Sequence, residues 1–133
     1  MFEHHTRFRV RYAETDQMGI AHHSHYIDWF EMGRIDFLRA IGYSYADLEK
    51  RGVRLAVVEA HCRYRSPARF DELLTVTTRL NQLKKFKLDF HYVIHGESNQ
   101  LICEGSIVLG SLGSDLKPAL LPDDVAEKLQ STL

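Results

Sequence analysis

Apolar and polar residues change rhythm along the chain, and the changes divide it into elements. Over residues 6–12 the alternation is strict, with Phe8, Val10 and Tyr12 on one side and Arg7, Arg9 and Arg11 on the other, the period of a half-buried strand. Residues 24–41 contain no proline, and Tyr26, Ile27, Phe30, Phe37, Leu38 and Ile41 recur at helical spacing. Trp29, Met32 and Ile35 widen the apolar surface around most of the circumference, which predicts a buried helix rather than one laid on a surface. Gly42 ends it, and Ser44 with Asp47 has the form of a capping box for a short helix closing at Gly52.

After that the rhythm is that of strands. Val58, Ala60, Cys62 and Tyr64 alternate with Glu59, His61, Arg63 and Arg65; runs from Leu74 to Leu80, Phe86 to Ile94 and Leu101 to Leu109 follow. "HGESN" at 95–99 reads as a hairpin turn, "SPARFDE" at 66–72 as a longer connection whose proline interrupts pairing, and Gly105 as a bulge. Pro122 followed by Asp123 and Asp124 predicts a terminal helix with Val125 and Leu129 inward. Strand, buried helix, short helix, four strands and a last helix make an α+β domain with a mostly antiparallel, curved sheet around one long helix. No linker or repeat divides residues 1–133, and a second subunit is expected to cover exposed strand edges or the free sheet face.

Composition narrows the possibilities. With 44% hydrophobic and 26% charged residues over 133 positions, the chain fits one globular domain that can bury a core without staples. Cys62 and Cys103 lack CxxC spacing and are expected to be reduced thiols, as in the cytoplasm. No run approaches the ~18 apolar residues of a membrane span, so neither membrane insertion nor export is expected. The 17 basic and 18 acidic side chains nearly cancel, which argues against a general nucleic-acid binder.

Candidate chemistry concentrates in "AETDQMGIAHHSHY", residues 13–26. Asp16 and Gly19 fall between the first strand and the N-terminus of the long helix, where unpaired N–H groups can polarise a carbonyl and hold an oxyanion. A carboxylate with a free pKa of about 3.9 is ionised at neutral pH and can act as nucleophile or general base. Gly19 lets the backbone adopt positive φ or approach a ligand. An aspartate before a helix can equally make a turn or a cap. His22, His23 and His25 are metal ligands by type, but HExxH spacing and any CxxC are missing, so no metal site is expected. His4 and His5 read as a solvated terminus.

"RVRYAETDQMGIAHHSHYIDWFEMGRIDFLRAIG" resembles the start of the hotdog-fold acyl-CoA thioesterases of the 4-hydroxybenzoyl-CoA thioesterase type. In that family a strand ends in Y-x-D/E-T-D, passes a glycine and small apolar residues to Y-H-x-N-Y, and enters the central helix with F-E-x-x-R. "YRSPARFDELLTVTTRL" is similar to a later stretch with a proline, an aromatic, an aspartate and a hydrophobic strand. The resemblance spans the core from Phe8 to Leu109 and implies a hotdog thioester hydrolase that needs no cofactor. It maps the catalytic aspartate onto Asp16 and a second site residue onto His23, whose backbone N–H meets the thioester oxygen. It places Tyr26 against the acyl group and matches Glu31 and Arg34 to a supporting ion pair. His22 and His25 depart from the family's tyrosine and asparagine and read as packing or polar contacts.

Coenzyme A carries a diphosphate and a 3′-phosphate, so its binder needs cations near a groove. The resemblance points to Lys84, Lys85 and Lys87, with Arg63, Arg65 and Arg69 before the next strand, acting across a subunit interface. "KKFK" is also what a solvated edge strand contains. The implied assembly is a homodimer, paired further into a homotetramer. Other hotdog functions stay open: a non-catalytic acyl-CoA binder, a dehydratase, or a thioesterase acting on acyl carrier protein.

Overall fold

The computed structural model of the protein describes all 133 residues. In chain order the elements are β1 (His4–Arg9), a 3₁₀ turn (Tyr12–Glu14), α1 (His25–Ala40), α2 (Tyr45–Lys50), β2 (Arg54–Tyr64), β3 (Leu73–Leu83), β4 (Lys87–His95), β5 (Leu101–Leu112) and α3 (Asp123–Gln130). The five strands form one curved sheet in the order β1-β3-β4-β5-β2, and every neighbouring pair is antiparallel. The expected α+β architecture with one long helix against the sheet is what forms.

Alternation decides which strand residues meet α1. Leu88, Phe90, Tyr92 and Ile94 of β4 are buried, as are Leu74, Val76, Thr78 and Leu80 of β3. Phe30 stacks on Tyr92 with ring centroids 4.6 Å apart, and Phe37 meets Phe90 edge-on at 5.4 Å. The close approach of helix and sheet needs two residues without side chains. A Cβ at Gly33 would lie 2.6 Å from Thr78 Oγ1, and one at Gly105 would lie 2.6 Å from Phe30 Cε2 and collide with the His61 carbonyl. Gly105 is therefore a seat for Phe30 and not the expected bulge: it pairs in register with Cys62 and Tyr92, while register shifts occur between Val57 and Glu59, Leu80 and Gln82, and Ile94 and His95.

Other differences have local causes. The first strand stops at Arg9, three residues early, because the chain tightens into the 3₁₀ turn; Tyr12 leaves the face of Phe8 and Val10 and is 78% exposed. His4 and His5 are not a loose terminus but pair with β3, and His4 Nε2 lies 2.9 Å from Asp36 Oδ2 on α1. α1 is buried on one side only, leaving Met32 exposed. β2 extends four residues further toward the N-terminus than the alternation indicates, because as an edge strand it has little burial contrast to read. Gly42 (φ +104°) and Gly52 (φ +88°) close α1 and α2 as expected, and the Ser44 side chain accepts from the Asp47 N–H. Cys62 and Cys103 are both free thiols.

Candidate active site

The segment after β1 is folded back on itself. Thr15 bridges Ala21, the Asp16 N–H donates to the Ile20 carbonyl at 2.9 Å, and the Gly19 N–H donates to the Asp16 carbonyl at 3.0 Å. Gly19 closes this turn at φ +79°, which a side chain would strain. Asp16 Oδ1 accepts from the Met18 N–H at 2.8 Å. One carboxylate oxygen thus shapes the loop, an Asx turn, and Oδ2 has no partner in the chain.

Glu14 holds this loop against the helix. It is 4% exposed, its Oε2 accepts from the Trp29 indole at 2.8 Å, its Oε1 accepts from the Arg11 N–H at 2.7 Å, and its carbonyl accepts from the His22 N–H at 2.8 Å. Burial would raise its pKa; the hydrogen bonds from the Arg11 backbone, Trp29 and the Arg11 guanidinium outweigh that and hold it below the usual carboxylate value.

At the helix entrance the His25 N–H donates to the His22 carbonyl at 3.1 Å, and the Tyr26 N–H reaches the His23 carbonyl at 3.4 Å. The His23 N–H has no acceptor in the chain, one of the orphan donors that every helix N-terminus carries. The rings of His22 and His23 lie 4.2 Å apart, and His25 Nδ1 is 3.8 Å from Asp28 Oδ2. No group of three His, Cys, Asp or Glu side chains is arranged to hold a metal ion.

Asp16, His23 and Tyr26 line one cleft of about 550 Å³, together with His22, Tyr64 and Arg65. That volume suits a small-molecule group. Tyr26 is 3% exposed, its ring centroid lies 4.7 Å from that of Trp29 and 4.9 Å from that of Tyr64, and burial pushes its phenol up to about 12. Gly19 does not itself line the cleft; its neighbours Met18 and Ile20 do.

Other expected residues are elsewhere. Glu31 is exposed and forms no ion pair with Arg34, which turns inward so that Nη1 donates to Tyr92 Oη at 3.4 Å. Lys84 and Lys87 border a separate hollow of about 200 Å³, and Lys85 lies over Phe86. Tyr64 pairs with Cys103, which pairs with Ile94, so the cleft and the lysine hairpin sit at opposite ends of β4, roughly 23 Å apart at about 3.3 Å per residue. The cations nearer the cleft are Arg65, bound to Glu104 at 2.7 Å, and Arg69, whose backbone bridges Ile20. Sequence reading passed over Glu14, Tyr64 as a site residue, and the capping role of His22. Only the Glu14 position carried a signal, as a member of the "ETD" motif.

A curved antiparallel sheet packed on one long helix is the hotdog arrangement. The model of the thioesterase-like superfamily matches residues 10–129, and the chain belongs to that superfamily. It is 39% identical over 92 residues to the putative acyl-CoA thioesterase YneP of Bacillus subtilis, covering 69% of this chain and 67% of YneP. It is 27% identical over 123 residues to the acyl-CoA thioester hydrolase YbgC of Escherichia coli, covering 92% of each. Among solved structures it superposes on protein TT1821 of Thermus thermophilus with a TM-score of 0.93 at 40% identity, covering 97% of this chain and 98% of the other. It superposes on the DHNA-CoA thioesterase of Staphylococcus aureus with a TM-score of 0.92 at 33% identity, covering 98% and 93%.

Proposed function

We propose that this protein hydrolyses acyl-CoA thioesters to free acid and coenzyme A, with Asp16 as nucleophile or general base and the His23 N–H as oxyanion donor. The observation that carries the reading is that Asp16, whose Oδ2 has no partner, and His23, whose N–H is unpaired, line the same cleft. In the nucleophilic route the Asp16 carboxylate attacks the thioester carbonyl and the oxygen takes the negative charge beside the His23 N–H. Collapse then expels the CoA thiolate and leaves a mixed anhydride, which water hydrolyses. In the general-base route Asp16 takes a proton from water as the water attacks the same carbon, and the tetrahedral intermediate collapses with loss of the CoA thiolate, which takes up that proton, to leave the free acid. Tyr26 and Tyr64 offer aromatic walls to the acyl group. No step requires a cofactor or metal.

The working unit is a cytoplasmic homodimer of the 4-hydroxybenzoyl-CoA thioesterase type, paired into a tetramer. Support for a second copy comes from β2, an edge strand with Val57 54% and Val58 51% exposed. Lys84, Lys85 and Lys87, far from the cleft of their own chain, then serve the nucleotide phosphates at the cleft of the partner. No helix is long and apolar enough to cross a membrane.

Thiol release from a panel of aliphatic and aromatic acyl-CoAs, with acyl carrier protein thioesters alongside, tests the reading. Rapid turnover of at least one CoA ester supports it. Binding without turnover makes the protein an acyl-CoA binder, and turnover of carrier-protein thioesters alone reassigns the substrate.

A further inference from the structure

Two side chains act on a single peptide unit at the helix entrance. The carbonyl of His23 accepts from Tyr64 Oη at 3.1 Å, a shorter bond than the 3.4 Å one from the Tyr26 N–H. At the other end of that unit the Ser24 N–H donates to His22 Nδ1 at 3.2 Å, and Ser24 Oγ lies 2.8 Å from the same nitrogen. The preceding unit, which carries the unpaired His23 N–H, is held through its own carbonyl by the His25 N–H at 3.1 Å. First turns of helices fray unless side chains hold them.

We propose that Tyr64 and His22 are positioning residues that clamp the His23–Ser24 peptide from its two ends and thereby aim the His23 N–H at the thioester oxygen. This rests on the reading of that N–H as the oxyanion donor. Tyr64 comes from the end of β2, far along the chain, and its ring is braced edge-on against Tyr26 with centroids 4.9 Å apart. Burial and then the adjacent Cys62 thiol push its phenol up to about 12, so it stays a donor at neutral pH. His22 works as a cap: with Nδ1 accepting from Ser24, the neutral ring carries its proton on Nε2.

The clamp predicts a residue-specific kinetic pattern. An oxyanion donor acts only within about 2.7–3.1 Å of its target, and a displacement of about 1 Å can cost on the order of a hundredfold in rate. Tyr64→Phe keeps the ring and deletes only the donor. Its kcat for acyl-CoA hydrolysis should fall on the order of tenfold, with KM and Tm unchanged. His22→Ala should repeat the pattern, His22→Asn should restore the rate because an asparagine side-chain oxygen can accept from the backbone N–H two residues on, and the Tyr64→Phe/His22→Ala double variant should lose less than the product of the single losses. Wild-type kcat in Tyr64→Phe, an effect confined to KM, or a loss that tracks a falling Tm overturns the clamp. Asp16→Asn is run in parallel. If it is inactive while Tyr64→Phe is fully active, the clamp alone fails; if it is fully active, the proposed function itself fails.

Discussion

The Trp29 indole donates a 2.8 Å hydrogen bond to the buried carboxylate of Glu14, and this bond ties the loop that carries Asp16 to the central helix. A carboxylate is rarely so buried unless paired. Glu14 is satisfied by Trp29 on one oxygen and by the Arg11 N–H on the other, with the Arg11 guanidinium 3.5 Å away. The site loop thus keeps its place through contacts on both sides of the sequence motif.

Removing that carboxylate should weaken the fold and the site together. Glu14→Ala leaves a buried indole N–H unpaired and should cost about 1–3 kcal/mol in urea unfolding. The pH dependence has a fixed sign. Because the folded-state pKa lies below the ordinary 4.5, the charge of Glu14 contributes stability above that value, and the contribution is lost as pH falls through the lower folded pKa. The stability gap between wild type and Glu14→Gln should therefore be open at neutral pH and close in acid. A gap that widens in acid contradicts the assignment.

Helix and sheet approach so closely at two glycines that any side chain must displace something. Gly33→Ala meets the side chains of Thr78 and Val76 and should cost about 1–3 kcal/mol, offset in part by the roughly 1 kcal/mol that alanine gains over glycine in a helix. Gly105→Ala meets the backbone carbonyl of His61 as well as Phe30, so it should be the worse of the two. Thermal melts of both variants check the order.

The fold was legible because burial follows period two in β3 and β4 and because Gly42, Gly52, Ser44 and Pro122 mark element ends. Legibility failed where long-range contacts override local rhythm. Tyr12 continues the alternation of Phe8 and Val10 in sequence, yet the chain turns under the Glu14–Arg11 hydrogen bonds and sends it to solvent. Gly105 looks like a bulge because its true reason, the Phe30 ring, is seventy-five residues away. Of the residues lining the cleft, Asp16 could be read from the loop-to-helix motif and His23 and Tyr26 from the family resemblance. Tyr64 could not, since its hydroxyl acts across forty-one positions on a backbone carbonyl. The Glu31–Arg34 ion pair implied by the family resemblance does not form, because Arg34 turns inward to donate to Tyr92 Oη while Glu31 stays exposed.

The proposed phosphate role of the lysines is tested by comparing two substrates. The triple variant Lys84→Ala/Lys85→Ala/Lys87→Ala should raise KM for acyl-CoA on the order of tenfold, as expected for one charge-assisted phosphate contact. KM for the matching pantetheine thioester, which lacks the nucleotide, should stay at its wild-type value. Equal effects on both substrates reject the phosphate role.

Metal removal should have no effect on turnover. No three His, Cys, Asp or Glu side chains are arranged to hold a metal ion, and the proposed chemistry uses a carboxylate and an N–H. Exhaustive dialysis against chelator followed by the thiol-release assay checks this. Activity lost on chelation and recovered with a divalent metal would assign the site differently.

Asp16→Asn provides the most direct measurement. Asparagine keeps an oxygen to accept from the Met18 N–H, so the loop can retain its shape while the charge disappears. Thiol release from the best acyl-CoA substrate should fall by ~10²–10³ or more in kcat, with Tm preserved. A variant that folds as wild type and hydrolyses acyl-CoA at the wild-type rate would show that Asp16 is neither nucleophile nor base.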